Sequence, residues 1–97
     1  MKFLVLWRLE LSRVSTELAR AVMRMSEYAQ PLQQQGKVVA RYHIVAGHGG
    51  AWIFDVDSNE ELEMLLARAP VYNFAHFEVL PLADMAALPL TPPPSEP

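Results

Sequence analysis

The sequence predicts an α+β fold of four strands and two helices in the order β-α-β-β-α-β, the split unit of ferredoxin-like domains. Three observations predict it. Residues 2–10, 37–46, 51–56 and 74–82 are strand-like, the first two alternating with a period of two. Apolar residues recur at three- and four-residue steps in two segments between them. Serines, glycine and prolines punctuate the segment ends. Right-handed crossovers then place both helices on one face of a four-stranded antiparallel sheet, leaving the other face uncovered within one chain.

Each element has its own signature. In residues 2–10, Phe3, Val5, Trp7 and Leu9 oppose Lys2, Leu4, Leu6, Arg8 and Glu10, which suits a central strand. Ser12 or Ser15 caps a first helix whose stripe is Val14, Leu18, Ala21, Val22, Met25, Ala29 and Leu32. Glu17, Arg20, Arg24 and Glu27 form its polar side, and Met23 and Met25 read as gap-filling core. Pro31 predicts a kink or an irregular last turn, and Gly36 the stop. On the second strand, alternation puts Val38, Ala40, Tyr42 and Ile44 opposite Val39, Arg41, His43 and Val45. Gly47-His48-Gly49-Gly50 reads as a hairpin connection built on positive-φ glycines, and Ala51 to Val56 as the returning strand. Ser58 and Glu61 form a capping box for a second helix bearing Leu62, Leu65, Leu66 and Ala69, ended by Pro70. Phe74 to Leu82 is the last strand. Residues 1–82 are thus expected to form the domain, and the Ala/Leu/Pro-rich 83–97 a mobile or partner-draped tail.

Composition narrows the function. The chain has 97 residues, 52% apolar, and a formal charge of −3 with no cysteine. That gives no basic footprint for nucleic acid, no thiolate nucleophile and no disulfide framework, so a cytoplasmic setting is expected. No apolar run is long enough to span a membrane, and the opening residues read as a strand rather than a leader. His43, His48 and His76 lack helical i, i+4 spacing, so no metal site is expected. The apolar content is slightly high for one small domain, which points to a face shared with another subunit.

The segment Arg24 to Leu82 carries Leu32-Gln33, Gly36-Lys37, Ile44-Val45, Ile53-Phe54-Asp55-Val56, Ser58-Asn59 with Glu61-Leu62, Leu65-Leu66, Pro70, Glu78-Val79 and Pro81-Leu82. This pattern resembles the muconolactone Δ-isomerase family. The resemblance implies a dimeric α+β barrel paired through its sheets, in assemblies up to decamers. It also implies a cofactor-free proton transfer that moves a double bond in a small lactone. The family's acid–base pair on the first helix falls where this sequence has Met25 and Ser26, and its second-strand aromatic and basic residues become Tyr42 and His43.

Such chemistry needs a base and a donor for the developing enolate oxygen. His76, Glu78 and His43 are the candidate catalytic residues, His76 and Glu78 projecting from the same sheet face. Arg41 suits a substrate carboxylate, and Tyr28, Tyr72, Trp7 and His48 are candidate pocket residues. Each has a plainer reading as well: a paired or solvated charge, Glu78 with Arg8 or Arg41, or core aromatic packing. The expected function is a lactone or small-organic-acid isomerase with no cofactor. The alternatives are a cyclase or isomerase for a larger, polyketide-like substrate, or a non-catalytic binding or assembly protein on the same fold.

Overall fold

A computed structural model describes residues 1–13 and 15–87. Its elements are β1 (Lys2–Leu9), α1 (Thr16–Gln34), β2 (Val38–His43), β3 (Gly49–Asp55), α2 (Asn59–Ala67) and β4 (Ala75–Leu82). Short 3₁₀ turns occupy Leu11–Arg13, Tyr72–Phe74 and Met85–Ala87. The expected Val14 stripe position and tail residues 88–97 lie outside the described residues.

The strands form one sheet in the order β2-β3-β1-β4 with every neighbour antiparallel. In β1, Phe3, Val5 and Trp7 point inward and are buried. They meet Phe54, Trp52 and Gly50 of β3 and Pro81, Val79 and Phe77 of β4. Leu18, Ala21, Met25, Ala29 and Leu32 of α1 and Leu62 of α2 are buried on the helical side of the domain. The reverse sheet face bears Leu4, Leu6, Ala51, Ile53, Leu80 and Leu82 and, among the described residues, has no helix over it.

The helix ends follow the sequence signals. Leu18 N–H donates to Ser15 Oγ at 3.1 Å and Glu61 N–H to Ser58 Oγ at 3.0 Å. Helix α1 continues through Pro31 to Gln34. It closes on Gly36 at φ 76°, with Gly36 N–H to Gln33 O at 3.1 Å and Lys37 N–H to Leu32 O at 2.9 Å. That doubly bonded stop satisfies carbonyls the helix leaves open, and glycine takes the left-handed conformation at no steric cost. Pro81 sits in β4, an edge strand, where a missing N–H is tolerated.

Three expectations are corrected. Met23 is exposed, because it lies on the solvent side of α1 between the inward-facing turns of Ala21 and Met25. Gly49 and Gly50 belong to β3, so the connection is Ile44 to His48, and its left-handed residue is Ala46 at φ 58°. Finally, β2 does not alternate strictly. Val38 pairs with Phe54, but Ala40 pairs with Ile53 and Arg41 with Trp52, a one-residue bulge between Val38 and Ala40. The extra residue turns the rest of the strand over. Arg41 and His43 therefore share Val38's helical side, while Ala40 and Tyr42 face outward.

Candidate active site

The bulge places the strongest polar groups of β2 beneath α1. A cleft of about 300 Å³ opens there, lined by Val22, Met25 and Ser26 of α1, Arg41 and His43 of β2, and residues of β1 and β3. Its floor is aromatic. The Trp7 and Trp52 rings meet edge to face, 6.3 Å apart at 82°, and Trp52 stacks on Phe54 at 6.1 Å. The Arg41 guanidinium carbon lies 5.3 Å from the Trp52 ring centre, a cation–π contact.

Two nitrogens in this cleft are buried without a hydrogen-bond partner, Arg41 Nε and Trp7 Nε1. They are the only such side-chain atoms among the described residues. A buried donor left unpaired costs about 1–3 kcal/mol, so each calls for an acceptor that the described residues do not supply. Among the described residues no carboxylate lines the cleft. One permanent cation and unpaired N–H groups without an acidic neighbour favour an anionic, oxygen-bearing ligand.

A second hollow of about 590 Å³ lies between α2 and β4, lined by Phe3, Leu62, Leu66, Tyr72, Phe77 and Val79, with Asn59, Glu63 and His76 at its polar margin. It is larger, but it holds no buried unpaired donor. We place the candidate site in the cleft under α1, where unmet bonding capacity is concentrated.

The sequence candidates separate into groups. Arg41, His43 and Trp7 converge in the cleft. His76 and Glu78 do not join them, because β2 and β4 are opposite edges of the sheet and the bulge sends the two sets to opposite faces. His76 Nε2 lies 2.7 Å from Glu10 Oε2, and Ser12 Oγ donates to the other oxygen at 3.0 Å. Hydrogen bonding from His76, then from Ser12, holds the Glu10 carboxyl below the usual carboxylate range. Glu78 pairs loosely with Arg8 at 3.8 Å. Tyr28 donates its hydroxyl to the Leu65 carbonyl, tying α1 to α2, and burial pushes its phenol up. Tyr72 packs on Phe77 at 5.9 Å in the other hollow, so Tyr28, Tyr72 and Trp7 line no common pocket. His48 is exposed in the hairpin connection, its carbonyl accepting Leu9 N–H at 2.8 Å.

Sequence reasoning left out Trp52, Ser26 and Gly50 as site residues. The signal for Gly50 was available: a glycine in a strand marks close approach of another group, and here the group is Trp7. Among the described residues no cluster of three or more His, Asp or Glu could hold a metal ion, and no helix is long and apolar enough to cross a membrane.

Fold and cleft together define a ferredoxin-like α+β domain with a small polar-apolar pocket between its first helix and its sheet. The sequence profile of the muconolactone Δ-isomerase family matches residues 1–87, and the chain belongs to that family. It is 40% identical over 60 residues to a muconolactone Δ-isomerase of Cupriavidus pinatubonensis, covering 62% of this chain and 65% of that one. It is 42% identical over 55 residues to one of Acinetobacter baylyi, covering 57% of each. The aligned part thus spans less than two thirds of either relative. A crystal structure of muconolactone isomerase superposes with a TM-score of 0.77 at 23% identity, over 95% of this chain and 98% of that one. A 5-chloro-2-hydroxyhydroquinone dehydrochlorinase from Burkholderia phenoliruptrix, solved with 2,5-dihydroxybenzoquinone, gives 0.62 at 16% identity over 86% and 94%. At those identities the two structures speak to the fold alone.

Proposed function

We propose that this chain isomerises a small unsaturated lactone acid of the muconolactone type in the cleft under α1. The observation that carries the proposal is the convergence of Arg41, with its unpaired buried Nε, and His43 on one side of a cleft with no carboxylate among its described lining residues. Family membership supplies the reaction class. Arg41 holds the substrate carboxylate through its planar donor fork. His43 takes a proton from the ring carbon γ to the lactone carbonyl. The electron pair moves through the conjugated system to the carbonyl oxygen, and a proton returns at the α carbon. The step is a proton relocation with no change of oxidation state.

We further propose that the working unit is a homodimer or a multiple of one, paired across the reverse sheet face. That face carries an apolar centre of Leu4, Leu6, Ile53 and Leu80 between charged ends, Lys2 with Asp55 and Arg8 with Glu78. His76 and Glu78 belong to this surface rather than to the cleft. A cytoplasmic setting fits a chain that makes no use of cysteine.

The test is incubation of the full chain with muconolactone in D₂O, followed by NMR. Deuterium enters at the α and γ carbons and the β,γ-unsaturated lactone accumulates. His43→Ala lowers turnover by about 10²- to 10⁴-fold, as expected for loss of a general base or acid. Neither exchange nor turnover at high enzyme concentration would refute the reaction. Full activity in His43→Ala would refute the assignment of the base.

A further inference from the structure

We propose that the Trp7 indole N–H is a catalytic hydrogen-bond donor to the substrate's lactone carbonyl oxygen, aimed by the missing side chain of Gly50. This rests on the reading of the cleft as the active site, and it assigns the donor that the developing enolate oxygen needs, a role that Arg41 and His43 leave open. Trp7 is 8% exposed, and its Nε1 has no acceptor among the described residues. Its indole occupies the space where a side chain at position 50 would stand. A Cβ built on Gly50 would lie 2.6 Å from Nε1, 2.8 Å from Cε2 and 2.9 Å from Cζ2. Real Cβ atoms do not approach so closely, so any other residue at position 50 must push the indole edge away. The next glycine excludes a side chain for another reason: a Cβ on Gly49 would lie 1.8 Å from the Trp7 carbonyl oxygen. Two consecutive glycines thus let β1 carry a tryptophan against the floor of the cleft, and the near-perpendicular Trp52 ring fixes its plane.

The donor's position relative to Arg41 divides the labour. Arg41 is the cation and takes the carboxylate. Trp7 is a neutral donor fixed in a largely apolar floor, suited to an oxygen that gains charge only as the proton leaves. Both nitrogens are covered in the free chain. A ligand reaches them only if the lining shifts, and Arg41, half-buried with its guanidinium resting on Trp52, is the long lining side chain that would have to move.

The test uses the full chain labelled with ¹⁵N at its two indoles, Trp52→Phe identifying the Trp7 signal. The probe is a saturated γ-lactone bearing an acetic acid arm, which cannot isomerise. The Trp7 indole proton moves downfield and saturates with the probe. An unmoved signal, whether because nothing binds, because the ligand sits elsewhere or because the donors hold only water, overturns the proposal. On muconolactone, Trp7→Phe and Gly50→Ala each lower kcat by about 10²- to 10³-fold, the scale of losing one oxyanion donor, with KM nearly unchanged. Gly50→Ala retains the tryptophan and so separates its aim from its bulk. Unchanged kcat in folded Trp7→Phe likewise overturns the proposal while leaving the isomerase reading intact. A saturating indole shift in a protein that turns over no muconolactone supports the donor and sinks the isomerase reading.

Discussion

Lys37 and Glu61 illustrate how single side chains join distant parts of the chain. Lys37 Nζ lies 2.6 Å from Glu61 Oε2, and the other Glu61 oxygen accepts Asp57 N–H at 2.9 Å. These bonds, Lys37 foremost, hold the Glu61 carboxyl below its ordinary range, and the bond to Glu61 raises the Lys37 ammonium. A lowered carboxylate stabilises the fold above its unfolded value, about 4.3, and that stabilisation fades as pH falls through the folded value. A raised lysine stabilises below about 10.4, and its contribution is lost as pH rises through its folded value. Glu61→Gln should therefore lower the melting temperature at neutral pH, with the gap to wild type closing below about pH 4. Melting curves from pH 3 to 8 would show this, and a gap constant down to pH 3 would contradict it. At this scale the sequence disclosed residues whose role is local. Ser15, Ser58 and Gly36, and Glu61 in its bond to Asp57 N–H, act within a few residues of themselves, so their spacing is their signal. The Lys37 contact and the Trp7–Gly50 fit join residues far apart in the chain and leave no mark in spacing. Met23 misled because its side-chain type suggests a core that its place on the helix denies.

Among the elements, the β2–β3 hairpin departs furthest from its sequence reading. Its glycine-rich run suggests glycines in the turn, yet two of them serve the cleft and Ala46 takes the left-handed conformation, with Gly47 N–H closing on Ile44 O at 3.0 Å. A residue with a Cβ in that region costs about 1–2 kcal/mol. Ala46→Gly removes the penalty, against a partial loss from greater freedom in the unfolded chain, and should stabilise the protein by up to about 1 kcal/mol. For a domain of this size that is roughly 4–8 °C in Tm, readable by calorimetry. A decrease in Tm would show the turn to be unstrained. Element order, by contrast, was fully legible, because helical and strand periods differ and every change of period falls at a cap, glycine or proline. What periodicity could not show was the bulge in β2, since one extra residue among apolar and polar neighbours has no compositional trace.

The molecule as a whole is two-sided. One sheet face is roofed by helices and holds the cleft, while the other presents Leu4, Leu6, Ile53 and Leu80 with no helix among the described residues to cover them. Ile53→Lys puts a charge at the centre of that outer face, away from the cleft. Light scattering should show the wild type as a dimer or larger and Ile53→Lys as a monomer, with far-UV circular dichroism unchanged. A monomeric wild type at micromolar concentration would refute the pairing. The bulge also bears on how this chain is compared with its relatives. Side chains along a strand are read in a frame of two, and the bulge is a frameshift without an insertion elsewhere to reveal it. Two sequences can align column for column through β2 and yet present opposite residues to the cleft if only one of them carries the extra residue. Equivalence at Arg41, Tyr42 and His43 is therefore a matter of facing, and an ungapped match along this strand does not transfer a role until the frame has been checked.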